Sequence, residues 1–135
     1  MEKTMKDINP KPTDSELEIL QILWKTGAST VKEVNDELNK LRPVGYTTTL
    51  KIMQIMYEKE FLRRERSGRS HIYSADIKEN DTKNILLDKV LQTVFAGSAS
   101  KLVMQALGQN KTSKKEISEI KKFINDLENR GIDND

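Results

Sequence analysis

The spacing of apolar residues changes at Phe61, and that change constrains the fold of this chain more than any other feature. Upstream, apolar residues recur every three or four positions, the period of amphipathic helices. Downstream, Leu62-Arg63-Arg64-Glu65-Arg66, Ser67-Gly68 and Arg69-Ser70-His71-Ile72-Tyr73-Ser74 read as two short strands around a tight turn. Pro10 and Pro12 close an irregular tail over residues 1–11. Thr13 and Glu16 then form a capping-box pattern, in which the hydroxyl accepts a first-turn N–H and the carboxylate reaches back. The helix they start turns Leu17, Leu20, Leu23 and Trp24 inward and ends at Gly27. Thr30 and Glu33 repeat the pattern before a helix with Val31, Val34, Leu38 and Leu41 inward, ending ahead of Pro43. A third helix is predicted from Thr47 to Lys59, with Met53, Met56 and Tyr57 inward.

From Asn80 the helical period returns in three segments. The first carries Ile85, Leu86, Leu87, Val90, Leu91, Val94 and Phe95 and breaks at Gly97; the second carries Leu102, Val103, Ala106 and Leu107 and ends at Gly108. The third opens on Ser113 and Glu116, a further capping-box pattern, and carries Ile117, Ile120, Ile124 and Leu127. Leu, Ile, Val and Phe number 34 of 135 residues, enough to fold, but the 36% hydrophobic share is low and implies a thin core. Leu86, Leu87, Val90, Leu91 and Val94 span an arc wider than one neighbouring helix covers. With Leu102, Val103 and Leu107 they are expected to pack against a second copy, giving a homodimer; the alternative is packing back on the same chain. Glu79-Asn80-Asp81-Thr82 reads as a boundary, so the expected organisation is a tail (1–11), a domain over 12–78 and a helical dimerisation domain over 79–131.

Three short helices and a hairpin follow the order of a winged helix-turn-helix, so the fold class is mainly α (α+β) with a C-terminal helical region. In such a domain the third helix enters the DNA major groove, although winged helices also serve as protein-interaction modules. Charge placement bears on the choice. Between Lys40 and His71, eight basic residues face three acidic ones, a net +5, while the rest of the chain carries 15 basic and 18 acidic residues, a net −3. Basic side chains there would neutralise phosphates and release counterions.

On the third helix Thr47, Thr48, Lys51 and Gln54 can share one outward face, and their types suit base edges. The bland alternative is that Thr47 caps the helix and the others form a solvated face. Leu50 and Ile55 cannot both point inward at helical spacing; they would touch thymine methyls or pack on Tyr46. Arg66, Ser67, Gly68 and Arg69 form a basic wing tip suited to phosphate contact, or else an edge hairpin charged against aggregation. Trp24 reads as core, and the lone His71 as a strand residue. With no cysteine, one isolated histidine and no phosphate-cradling glycine loop, neither an enzyme nor a metal or cofactor site is expected. No stretch approaches a membrane span and Met1-Glu2-Lys3-Thr4 lacks a signal-peptide pattern, so no membrane insertion and a cytoplasmic location are expected.

The run Thr13-Asp14-Ser15-Glu16-Leu17-Glu18-Ile19-Leu20-Gln21-Ile22-Leu23-Trp24 resembles the opening of the penicillinase-repressor family (BlaI/MecI/CopY type). Arg42-Pro43-Val44-Gly45-Tyr46-Thr47-Thr48-Thr49-Leu50, Phe61-Leu62-Arg63-Arg64 with Gly68-Arg69, and Phe95-Ala96-Gly97-Ser98 before Leu102-Val103 look like the same family. The resemblance implies a homodimeric bacterial transcriptional repressor bound to a palindromic double-stranded DNA operator. It places the base-reading helix over Thr47 to Ile55 and wing contacts at Arg66 and Arg69, so the expected DNA-binding set is Arg42, Tyr46, Thr47, Thr48, Lys51, Gln54, Arg66 and Arg69. In the family's β-lactam branch repression is relieved by a membrane sensor protease, and the same regulation here would need a protease of different specificity. That family's Asn-Phe cleavage dipeptide is absent here, and the matching position is Gln105-Ala106. Ile55 stands where many relatives carry arginine, and Glu60 where glycine is common. The cysteine cluster of the copper-responsive branch is missing.

Overall fold

The computed structural model describes residues 11–131, and the expected tail lies outside them except for Lys11. The element order is α1 (Asp14–Thr26), α2 (Val31–Asn39), α3 (Tyr46–Glu58), β1 (Leu62–Ser67), β2 (Ser70–Ala75), α4 (Glu79–Phe95), α5 (Ala99–Gln109) and α6 (Lys114–Asn129). Two compact units divide between Asp88 and Lys89. Glu79, expected to open the second domain, is the first residue of α4. The first unit continues past it because Thr82 is buried and Ile85 packs on the core.

Helix starts follow the capping chemistry. Thr13 Oγ1 accepts the Glu16 N–H at 3.2 Å while Glu16 Oε1 accepts the Thr13 N–H at 2.8 Å. Thr30 and Glu33 make the same reciprocal pair at 3.2 and 2.8 Å. Ser113 accepts the Glu116 N–H at 3.0 Å, and no return bond accompanies it among the described residues, so that box is half formed. Thr47 does not cap α3, which removes the bland alternative for it: Gly45 is the N-cap and offers no side chain, and the helix starts at Tyr46, one residue before the expected Thr47. Gly108 does not end α5 either; the helix runs through it to Gln109.

The core of the first unit is built from Ile19, Leu20 and Leu23 of α1, Val31, Val34 and Leu38 of α2, and Met53 and Met56 of α3. Phe61, Leu62, Tyr73 and Ile77 complete it from the hairpin side. Trp24 packs against this cluster and its indole N–H donates to the Ile77 carbonyl at 3.0 Å, which satisfies the one polar atom the ring brings inward. Two residues expected inward lie outside. Leu41 is 66% exposed because α2 stops two residues before it, and Tyr57 is 37% exposed because α3 turns it toward the hairpin.

The helix α3 ends on a left-handed residue, Glu60 at φ 68°. The Phe61 N–H donates to the Met56 carbonyl and the Glu60 N–H to that of Tyr57, the paired bonds of a Schellman cap. Glutamate therefore adopts the conformation glycine favours, and the chain still turns sharply into β1. The antiparallel strands pair Leu62 with Ala75 through Ser67 with Ser70, so the turn is Gly68-Arg69, one residue later than expected. Gly68 supplies the positive φ of 62° at the first turn position, as a two-residue hairpin of the II′ class requires. At the base of the hairpin, Ser29 and Tyr73 exchange both backbone bonds at 2.8 and 2.9 Å.

Within the second unit no described residue is buried. Val90, Val94, Val103, Met104, Phe123 and Ile124 are all more than 40% exposed. Among the described residues no helix is long and apolar enough to cross a membrane.

Candidate nucleic-acid interface

The polar network that seats α3 starts on α2. Asn35 is buried, and its side-chain amide donates to Thr49 Oγ1 at 2.8 Å and to the Val44 carbonyl at 3.1 Å. Asn39 donates to the same carbonyl at 2.8 Å and accepts the Val44 N–H at 3.1 Å. Two asparagines thus tie the α2–α3 turn to both helices, and every buried side-chain polar atom among the described residues is satisfied. The sequence pattern did not single out these residues, because Asn and Thr carry no weight in an apolar period. Their spacing of four on α2 was the available signal.

With Thr49, Met53 and Met56 buried, the opposite face of α3 is fixed. Thr47, Thr48, Lys51 and Gln54 are exposed on it, together with Ile55, and Tyr46 is exposed at the start of the helix. Leu50 is half-buried against the core, so of the two residues that could not both point inward it is Ile55 that faces out. Gly45 leaves the first-turn N–H groups of α3 without a side-chain cap, a partial positive charge at the end of the helix nearest Arg42 in sequence.

The eight basic residues between Lys40 and His71 fall into three groups. Lys40 pairs with Glu37 at 2.7 Å, Lys59 with Glu16 at 2.8 Å and Arg63 with Asp76 at 3.6 Å. Arg42 forks onto Glu18 of α1, at 2.7 Å from Nη1 and 2.6 Å from Nη2. That fork holds the Glu18 carboxyl below its ordinary value, chiefly by hydrogen bonding and then by charge, and raises Arg42 in return. The hydrogen bond from Lys40 to Glu37 raises Lys40 likewise. Among the described residues no carboxylate pairs with Lys51, Arg66 or Arg69. Arg64 lies with its guanidinium carbon 3.9 Å from the Tyr57 ring centroid, a stacked cation–π contact that ties β1 to α3.

Of the eight expected DNA-facing residues, seven are therefore solvent-accessible without a carboxylate partner, and Arg42 is accessible but already engaged. Tyr57 and Arg64, which join the two basic elements, were missed because their contact crosses from helix to strand. His71 is half-buried and meets Tyr73 edge-on at 6.2 Å, consistent with its place as a strand residue. In the C-terminal set, Leu87, Val90, Val94 and Val103 are exposed and Leu86, Leu91, Leu102 and Leu107 are half-buried. Gln105 and Ala106 are exposed on α5.

Three helices with an α2–α3 turn tied down by two asparagines, followed by a two-stranded hairpin braced on the α1–α2 loop, define a winged helix. The family model described as penicillinase repressor matches residues 12–126, and the chain belongs to that family. It is 26% identical over 113 residues to a penicillinase repressor of Staphylococcus aureus, covering 84% of this chain and 90% of that one. To a penicillinase repressor of Bacillus licheniformis it is 27% identical over 126 residues, 93% of this chain and 98% of the other. Among solved structures, that of the DNA binding domain of the repressor BlaI is 28% identical and covers 60% of this chain and 93% of that one, with a TM-score of 0.49.

Proposed function

We propose that the chain is a homodimeric transcriptional repressor that binds a palindromic operator through α3 in the major groove and through the basic hairpin. The observation that carries this reading is the set of cations left unpaired. Lys51 stands amid the exposed polar face of α3, Arg69 sits in the turn of the wing and Arg66 two residues before that turn, while four of the other basic residues in the stretch are matched by carboxylates. Unpaired cations exchange small counterions for phosphates at little cost, whereas paired ones must first break an ion pair. Thr47, Thr48 and Gln54 beside Lys51 supply donors and acceptors for base edges.

The unburied apolar residues of the second unit support association of two copies, which would set two winged helices on half-sites one helical turn or a multiple of it apart. Relief of repression by cleavage fits the same arrangement. A cut near the exposed Gln105 and Ala106 would divide α5, remove part of the dimer contact and lower DNA affinity. Filter binding of random duplexes across a salt series tests the reading. Retention at low salt with a steep negative salt slope is expected; absence of any retained duplex at low salt would leave a protein-interaction module instead.

A further inference from the structure

Resting on the DNA-binding reading, we infer that Ile55 reads a thymine in the operator by packing on its 5-methyl group. Ile55 is the one large aliphatic side chain exposed on α3, since Leu50 and Ile52 are half-buried against the core. It lies one turn beyond Lys51 and two turns beyond Thr48 on the same side of the helix. A single exposed isoleucine is ordinary on an idle surface. In the middle of a helix face that enters a groove it is not, because entry strips water from everything on that face. An aliphatic group placed there must meet an apolar partner, or it desolvates base-edge donors and acceptors without replacing their hydrogen bonds. The major-groove edges offer one apolar group, the thymine methyl. The flanking Thr48, Lys51 and Gln54 make a protein partner a poorer match, because docking one would bury a lysine with no carboxylate supplied by this chain.

The full chain is used to select bound duplexes from a random library, and each thymine of the selected site is then replaced by uracil. Burial of one methyl predicts that uracil at one position per half-site weakens wild-type binding about four-fold. The Ile55→Ala variant should bind thymine and uracil duplexes equally at that position, and Ile55→Val should fall between. Trp24 fluorescence melts report whether the variants remain folded, since position 55 is more than a third exposed. The inference is overturned if wild type tolerates uracil everywhere, if Ile55→Ala keeps the full uracil penalty, or if the selected site contains no thymine. Selection of no duplex at all overturns the DNA-binding reading as well, which binding without uracil sensitivity does not.

Discussion

Removing the positive partner of the Glu16–Lys59 ion pair should damage the first unit more than neutralising the negative one. The pair is asymmetric: the Glu16 side chain is 5% exposed and that of Lys59 is 25% exposed, with Nζ 2.8 Å from Oε2. In Glu16→Gln the amide oxygen can still accept the Thr13 N–H, so the capping box survives, and Lys59 can rotate into water. The expected cost is the net worth of one charge-assisted hydrogen bond, about 1.5 kcal/mol. In Lys59→Met the carboxylate stays buried with one backbone partner and the helix N-terminus as its compensation, and it cannot rehydrate without unpacking α1. Stranding a buried charge costs about 3 kcal/mol here, at the lower end of the usual range because of that residual compensation. The double variant Glu16→Gln, Lys59→Met should cost about 1.5 kcal/mol rather than the sum, a coupling of about 3 kcal/mol. Urea unfolding at fixed chain concentration, followed by Trp24, measures all three, because the single tryptophan lies in this unit and bonds to Ile77. If Glu16→Gln proves as costly as Lys59→Met, or the double variant is additive, the exposure argument is wrong.

Three further outcomes follow from the same geometry. Glu60→Gly should be more stable than Glu60→Ala by about 1 kcal/mol, since both remove the same side chain and only alanine must be forced to φ 68°; equal urea midpoints would refute this. The Glu18 carboxyl is depressed by Arg42, so the pair's contribution is present above pH 4.5, the ordinary value, and is lost as pH falls through the lower folded value. The stability gap between wild type and Arg42→Gln should accordingly close on acidification below pH 4.5; a gap that widens there would reverse the assigned sign. Finally, Arg66→Ala should weaken binding to all duplexes and flatten the salt slope by about one unit, whereas Lys51→Ala should change which sequences are preferred; salt titrations on selected and random duplexes separate the two.

The parts of this fold that were legible in the sequence are those set by neighbours a few residues apart. Thr13 and Thr30 each announced a reciprocal cap three residues on, and both caps form. The period change at Phe61 located the hairpin to within one residue of its turn. What was illegible depends on contacts between distant elements. Glu16 and Thr49 count as polar in any hydrophobic pattern, yet both are buried, because Lys59 and Asn35 reach them from 43 and 14 residues away. Arg42 looked like a free cation until Glu18, 24 residues earlier, was found beneath its guanidinium. Leu41 and Tyr57 keep helical spacing but lie past the end of one helix and on the hairpin-facing flank of another. On α3 the outward face was readable from Met53 and Met56, which are both buried, and the helix starts at Tyr46, one residue before the expected Thr47.

The wing is built like a cantilever. At its root Phe61, Leu62 and Tyr73 are buried, the Asp76 N–H donates to the Phe61 carbonyl, and Ser29 clamps Tyr73. Toward the tip burial falls away, and from Glu65 to Ser70 every residue is exposed. Beyond the Ser29 bridge the two strands have no third partner among the described residues, so the tip resists bending less than the packed root. Arg66 and Arg69 sit at the free end of this beam, where any displacement is largest. If α3 and the wing contact DNA as proposed, the lever would let two charges follow a groove of varying width while α3 stays in register, placing tolerance in the wing and discrimination in the helix.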